Sequence, residues 1–103
     1  MATEHQERRF DLGEIILTPA GLKAVCVAMN MRGGRGPNWI DYMHRHASGD
    51  WGDVSDHERV LNDAGCQSQG RLRSIYTLRD GKVIWIVTDG DRQQTRQMLP
   101  EEC

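Results

Sequence analysis

Apolar positions along this chain follow two different periods, and capping or turn residues mark where one gives way to the other. Leu12-Gly13-Glu14-Ile15-Ile16-Leu17-Thr18 reads as a first strand. Thr18-Pro19 then starts a helix, a hydroxyl cap followed by proline at the first helical position, where its missing N–H costs nothing. Leu22, Val25, Cys26 and Met29 continue at i, i+3, i+4 and i+7, one helical stripe. Val25, Val27 and Met29 also alternate as a strand does; the Thr-Pro start favours the helix. Arg32-Gly33-Gly34-Arg35-Gly36-Pro37 interrupts the pattern, so residues 32–37 are expected to be a flexible loop. Asn38 caps a second helix through about His46, with Asp41 in its first turn and Trp39, Ile40 and Met43 facing inward. His44, Arg45 and His46 fall in its last turn, where positive charge suits the helix dipole. Ser55-Asp56-His57-Glu58 is a capping box for a third helix that runs to Ala64 and stops at Gly65. Val60, Leu61 and Ala64 are its expected buried side.

The period then shortens to two. Arg71–Arg79 and Lys82–Thr88 are rich in β-formers, and Asp80-Gly81 between them reads as a two-residue hairpin turn. That turn sets Leu78 opposite Val83, Tyr76 opposite Trp85 and Ser74 opposite Val87 on one face. Thr77–Ile84, Ile75–Ile86 and Arg73–Thr88 would meet on the other. The face with the aromatic pair carries more apolar area and is expected to receive the helices. Asp89-Gly90-Asp91 is a further turn, and Gln93–Leu99 returns as a last strand before Pro100. The predicted class is α+β: an antiparallel sheet of three to four strands with two or three helices packed on one face. The expected organisation is a single domain over residues 1–103, with residues 1–10 frayed.

Length agrees, since 103 residues and 11.7 kDa suffice for one domain and not for two. Leu, Ile, Val and Phe number only 20, which implies a thin core, but a net charge of -2 is too small to drive disorder. The 15 acidic and 13 basic residues are interspersed, so neither a nucleic-acid footprint nor an acidic DNA mimic emerges. The polar stretch Met1–Asp11 does not read as a signal peptide, and no apolar run is long enough for a membrane span. Three cysteines without a close pair suggest reduced thiols and a cytoplasmic setting. Cys26 and Cys66 read as small apolar fillers, and Cys103 as an exposed thiol that can oxidise to dimers in air.

Three groups of residues carry candidate chemistry. His44, His46, Asp50 and Asp53 could surround a divalent metal, or His46 could act as a general base. The plainer reading is a structural loop in which Asp50 or Asp53 caps the next helix and Trp51 fills the core. H-x-H with two aspartates is a weak metal signal, so no metal and no cofactor is expected. Arg71, Arg73, Thr88, Asp91, Arg92 and Thr95 form a second group, a sheet surface that with His46 could cradle a phosphate as a sheet-based ribonuclease does. Its plainer reading is a polar sheet face with an Asp91–Arg92 ion pair in the turn. Trp51 is the third, an indole in a polar loop that would anchor a partner if partly exposed. Together Trp51, Asp50, Asp53, Asp91 and Arg92 are the expected binding residues.

His46-Ala47-Ser48-Gly49-Asp50-Trp51-Gly52-Asp53, Asn62, Arg71-Leu72-x-Ser74-x-Tyr76, Trp85-Ile86-Val87-Thr88-x-x-Asp91-Arg92-x-x-Thr95 and Leu99-Pro100-Glu101-Glu102 form a combined pattern. It resembles a family of small uncharacterised proteobacterial proteins carried on plasmids and phages, labelled "plasmid-related protein" or "type I restriction endonuclease subunit M". The chain departs from that pattern in a Gly/Arg-rich insertion over Met29–Pro37 and in ending at Cys103. A modification subunit needs a doubly wound domain with a Gly-rich strand–helix turn, and this chain has neither the length nor the turn. What the resemblance implies is an accessory role on a mobile element. The expected function is a non-enzymatic cytoplasmic protein-binding module that inhibits or modulates a host defence nuclease of the restriction or CRISPR kind. The alternative is a small ribonuclease or toxin using His46 with Arg71, Arg73 and Thr88. The expected partner is another protein, with no nucleic acid and no membrane. The expected state is a monomer or weak homodimer, with the last strand offering an open sheet edge.

Overall fold

Backbone hydrogen bonding gathers residues 8–103, which the computed structural model describes, into one four-stranded sheet and three α-helices. In chain order these are β1 (Glu14–Leu17), α1 (Pro19–Met29), α2 (Trp39–Ala47), α3 (Asp56–Gly65), β2 (Leu72–Thr77), β3 (Val83–Thr88) and β4 (Gln94–Met98). The strands lie in the order β1-β4-β3-β2. The fold is α+β as expected, but the sheet is mixed, because β1 runs parallel to β4 while both other pairings are antiparallel. All three helices separate β1 from the hairpin, and a connection of that length can bring the first strand back parallel to the last. The last strand is therefore interior, hydrogen-bonded on both sides, and offers no open edge.

The hairpin departs from its expected register by one residue. Leu78 and Lys82 close a three-residue loop: Leu78 N–H donates to Lys82 O at 2.7 Å and Gly81 N–H to Leu78 O at 2.9 Å. Gly81 takes the left-handed conformation, φ 86°, that ends such a turn. Gly81 is thus the third loop residue rather than the second of two. Tyr76 consequently faces Ile84, Ile75 faces Trp85, and Arg73 faces Val87. A slip of one residue moves every side chain of a strand to the other face. Tyr76 stays inside and packs on Tyr42, with ring centroids 5.3 Å apart. Trp85 moves to the outer face, half-buried beneath the Arg73 guanidinium at 4.3 Å. The expected Tyr76–Trp85 stack does not exist.

α1 and α2 cover the inner face of the sheet. Thr18 caps α1 by accepting from Gly21 N–H at 3.0 Å, and Pro19 opens it. The helix lies against β4 through Gly21, Ala24, Val25 and Ala28 rather than through the larger stripe read from the sequence; Cys26 is exposed. Close approach explains the rotation, since a Cβ on Gly21 would stand 2.8 Å from the Met98 backbone. α2 carries the full capping box between Asn38 and Asp41 and buries Tyr42, Met43, His46 and Ala47, leaving Ile40 exposed. Phe10 belongs to the core and Arg9 N–H donates to Ala47 O, so the expected fraying does not hold at these two positions; residues 1–7 lie outside the described part. At the 32–37 region, the Arg79 guanidinium donates to the carbonyl of Gly34 and to that of Met31 just before it.

Candidate functional site

The most polar part of the core is a closed hydrogen-bond chain. α2 drives His46 into the inner face of the sheet, where it is fully buried between Phe10 and Trp51, both edge-on to its ring. His46 Nδ1 lies 2.6 Å from Ser74 Oγ, and Nε2 lies 2.9 Å from Thr88 Oγ1. Thr88 Oγ1 is 2.7 Å from Thr95 Oγ1, which donates to the Leu12 carbonyl at 2.7 Å. The carbonyl can only accept, and that fixes every proton upstream. Thr95 donates to Leu12 and so accepts from Thr88. Thr88 has then used its one hydrogen and accepts from Nε2–H. The neutral ring keeps its Nδ1 lone pair for the Ser74 hydroxyl. Burial, reinforced by the Arg92 charge, holds the His46 pKa down at about 3, in keeping with a neutral imidazole. All four groups are satisfied and none reaches solvent, so this chain organises the core and presents no group to a substrate.

A different arrangement occupies the β2 edge of the sheet. β2 is an edge strand, and its outward peptide groups need partners. Ile75 takes them from the loop before α3: Ile75 N–H donates to Trp51 O at 3.0 Å, and Asp53 N–H donates to Ile75 O at 2.7 Å. Gly52 lies between them at φ 72°, and a Cβ there would sit 2.0 Å from Ile75 O. Arg73 takes its partners from α3. Asn62 Nδ2 donates to Arg73 O at 2.8 Å and Asn62 Oδ1 accepts from Arg73 N–H at 3.2 Å, so one side-chain amide stands in for a neighbouring strand. The Arg73 guanidinium grips both Glu58 carboxylate oxygens, at 2.6 and 2.7 Å. Arg92, on the β3–β4 turn, donates to the carbonyls of Gly65 and Ser68 at the end of the helix.

Helix α3 is thereby turned inside out. Its polar side, Glu58 and Asn62 with Gly65, faces the sheet. Val60 and Leu61 remain 66% and 57% exposed, and Ala64 is exposed beside them. The expectation that these three would be buried is wrong, and the reason is physical. An edge strand must have its N–H and C=O groups met, and Val or Leu can meet neither. Ser55 still caps the helix by accepting from Glu58 N–H at 3.1 Å, but the Glu58 side chain goes to Arg73 instead of closing the box.

The residues expected to form sites are distributed as follows. Asp50 is held by Arg45 at 2.8 Å, and this pairing keeps its carboxyl below the usual range; His44 is exposed. Asp53 accepts from the Thr77 hydroxyl. Among the described residues no three His, Cys, Asp or Glu side chains gather at a metal-holding spacing. Trp51 is 2% exposed with its Nε1–H on Asp63, so it fills the core and cannot anchor a partner. Of the phosphate-cradle group, His46 does meet Thr88 and, through it, Thr95, but all three are buried. The new register puts Arg73 on the far face from Thr88, and Arg71 is exposed with its guanidinium near Cys103 Sγ. Asp91 accepts from Gln93 N–H within the turn, while Arg92 serves backbone carbonyls instead of pairing with Asp91. Cys66 packs against the core, and burial pushes its thiol pKa up. The sequence reading missed Asn62 and Glu58 as edge partners and the outward Val60–Leu61–Ala64 face. The available signal was that Glu58, Asn62 and Gly65 fall at i, i+4 and i+7, a second stripe of polar and small residues beside the apolar one.

Compared with protein-family models, with curated proteins and with solved structures, the chain matches none.

Proposed function

We propose that this chain is a non-enzymatic protein-binding module whose recognition element is the outward face of α3. One observation carries the reading: a preformed helix, fixed to the sheet through its polar side, leaves two large aliphatic side chains and Ala64 in water. A buried polar side opposite an exposed apolar one reverses the normal order of a small domain. It suits a helix that enters a partner's apolar groove. Because the helix is already held in place, little ordering entropy opposes binding, and covering Val60 and Leu61 contributes on the order of 1–2 kcal/mol each. The sealed His46 chain supports a binding role over a catalytic one, since its only titratable group has no route to a substrate. The resemblance of the sequence to plasmid- and phage-borne proteins suggests the partner: a host defence nuclease assembly in the cytoplasm, which the module inhibits or modulates.

The test is affinity capture from a bacterial lysate with the wild-type chain, Leu61→Arg, and Cys26→Ser as an exposed-surface control. The expected result is a stoichiometric partner retained by wild type and Cys26→Ser and lost by Leu61→Arg, with all three chains equally folded. Retention of the same partner by Leu61→Arg, or cleavage of labelled RNA that His46→Ala abolishes, would overturn the reading.

A further inference from the structure

The sheet treats its two edges differently. On the β2 side the outward peptide groups of Arg73 and Ile75 are met, by the Asn62 amide and by the loop of residues 51–53. β1, at the other margin, has a neighbouring strand on one side alone. Glu14 N–H donates to Gln93 O at 3.0 Å and Thr18 N–H to Gln97 O at 3.1 Å, so the even-numbered positions face β4. The intervening peptides of a strand point the other way, and those of Ile15 and Leu17 face away from the sheet. Among the described residues, neither their N–H nor their C=O groups have a hydrogen-bond partner. The strand is Glu-Ile-Ile-Leu, with no proline or lysine to block its edge. Ile15 is 39% exposed and shares with Leu17 the face that carries the helices. The charges at both ends of this edge are acidic. Asp11 and Glu14 are exposed and in no ion pair, and Glu102 accepts from the Thr18 hydroxyl at 2.7 Å just past Leu17. The nearest base across the strand, Arg96 opposite Ile16, is paired with Asp89.

We propose that β1 takes up an extended, basic and apolar peptide segment of another protein as a fifth strand of the sheet. The occupant follows from what the edge lacks. Two N–H and two C=O groups, held in extended conformation, are met together by another extended backbone. A helix cannot meet them, because its own peptide groups are spent within it. The side chains of the edge set the rest of the chemistry. Apolar residues of the incoming strand lie beside Ile15 and Leu17, and basic residues meet the acids at the two ends. A second copy of β1 fits less well. An antiparallel pair centred on Ile16 would set Glu14 of each copy opposite Thr18 of the other, and so close to its Glu102. The edge and the α3 face lie at different margins of the sheet, so this proposal goes beyond the α3 reading and does not depend on it.

The test is titration of the chain with a capped six-residue peptide of alternating lysine and valine, followed by amide NMR shifts. Saturable binding tighter than about 1 mM is expected, weaker in high salt, with the largest shifts at Ile15 and Leu17. Ile15→Pro removes one outward N–H at an exposed edge position, where a strand tolerates proline. It is expected to keep the wild-type circular dichroism and to weaken binding about tenfold or more. Glu14→Lys is expected to weaken binding and flatten its salt dependence. The same peptide methylated at every backbone nitrogen, which cannot donate, is expected not to bind the wild type; this arm decides the matter if Ile15→Pro fails to fold. Leu61→Arg on α3 is expected to bind the peptide as wild type does, so failure here and failure of the α3-dependent capture are read separately. Absence of saturable binding overturns the proposal, as do undiminished binding by a folded Ile15→Pro, binding of the methylated peptide, or shifts centred away from β1. Self-association of wild type that Ile15→Pro abolishes would make a second copy the occupant and overturns it too.

Discussion

α2 and α3 have similar lengths and similar capping signals, yet they bury opposite kinds of side chain. α2 lies over the inner face of the sheet, where the strands already satisfy one another's peptides, so it offers aromatic and aliphatic groups and a single histidine. That histidine is admitted because Ser74, Thr88 and Thr95 form a chain that ends on a carbonyl. α3 lies beside an edge strand with unmet peptide groups, and it turns its polar stripe inward to meet them. Amphipathicity alone marks two sides of a helix. The neighbour decides which side is hidden.

The sharpest way to break this contrast is at its buried member. His46→Ala leaves a cavity and strands the Ser74 and Thr88 hydroxyls, and a loss of about 3–5 kcal/mol in urea unfolding is expected. A loss below about 1 kcal/mol would mean that the chain does not organise the core. Acid tests the same residue without mutation. Its pKa is about 3 when folded against 6.5 when exposed, so below pH 6.5 the unfolded state binds a proton that the native state refuses. His46 therefore supports stability fully above pH 6.5. Its share falls by about 1.4 kcal/mol per pH unit as the pH drops toward 3. Urea midpoints across that window check the slope, and a flat profile would mean that His46 is already charged in the fold.

At the edge strand the effects are smaller. Asn62→Ala removes both side-chain partners of the Arg73 peptide and is expected to cost about 1–3 kcal/mol, with β2-mediated association visible by light scattering. Smallest of all is the exposed side of the same helix. Val60→Ser with Leu61→Ser is expected to shift stability by no more than about 0.5 kcal/mol while abolishing binding through α3. A substantial drop in melting temperature for that pair would contradict the inside-out orientation.

Much of the fold was legible in the sequence because its signals are local. Thr18-Pro19, Asn38 with Asp41, and Ser55 each act within one helical turn, and all three open helices where expected. The paired β segments after Arg71 were equally clear. The register was not, because Asp80-Gly81 serves a two-residue turn and the last two positions of a three-residue turn with the same letters. That single step separated Tyr76 from Trp85 and Arg73 from Thr88, and with them the proposed phosphate cradle. His46 and Thr88 do meet, but no local signal said that the meeting place is sealed from water.

The order of residues alone decided which segments become helix and which become strand, and that the whole is an α+β domain, because caps, turns and periodicity operate between neighbours a few positions apart. Tertiary structure alone decided that β1 returns beside β4, that His46 is sealed in the core, and that Val60 and Leu61 face outward. Those outcomes depend on which backbone groups and which surfaces remain unmet once distant segments have come together, and no short stretch of sequence records that.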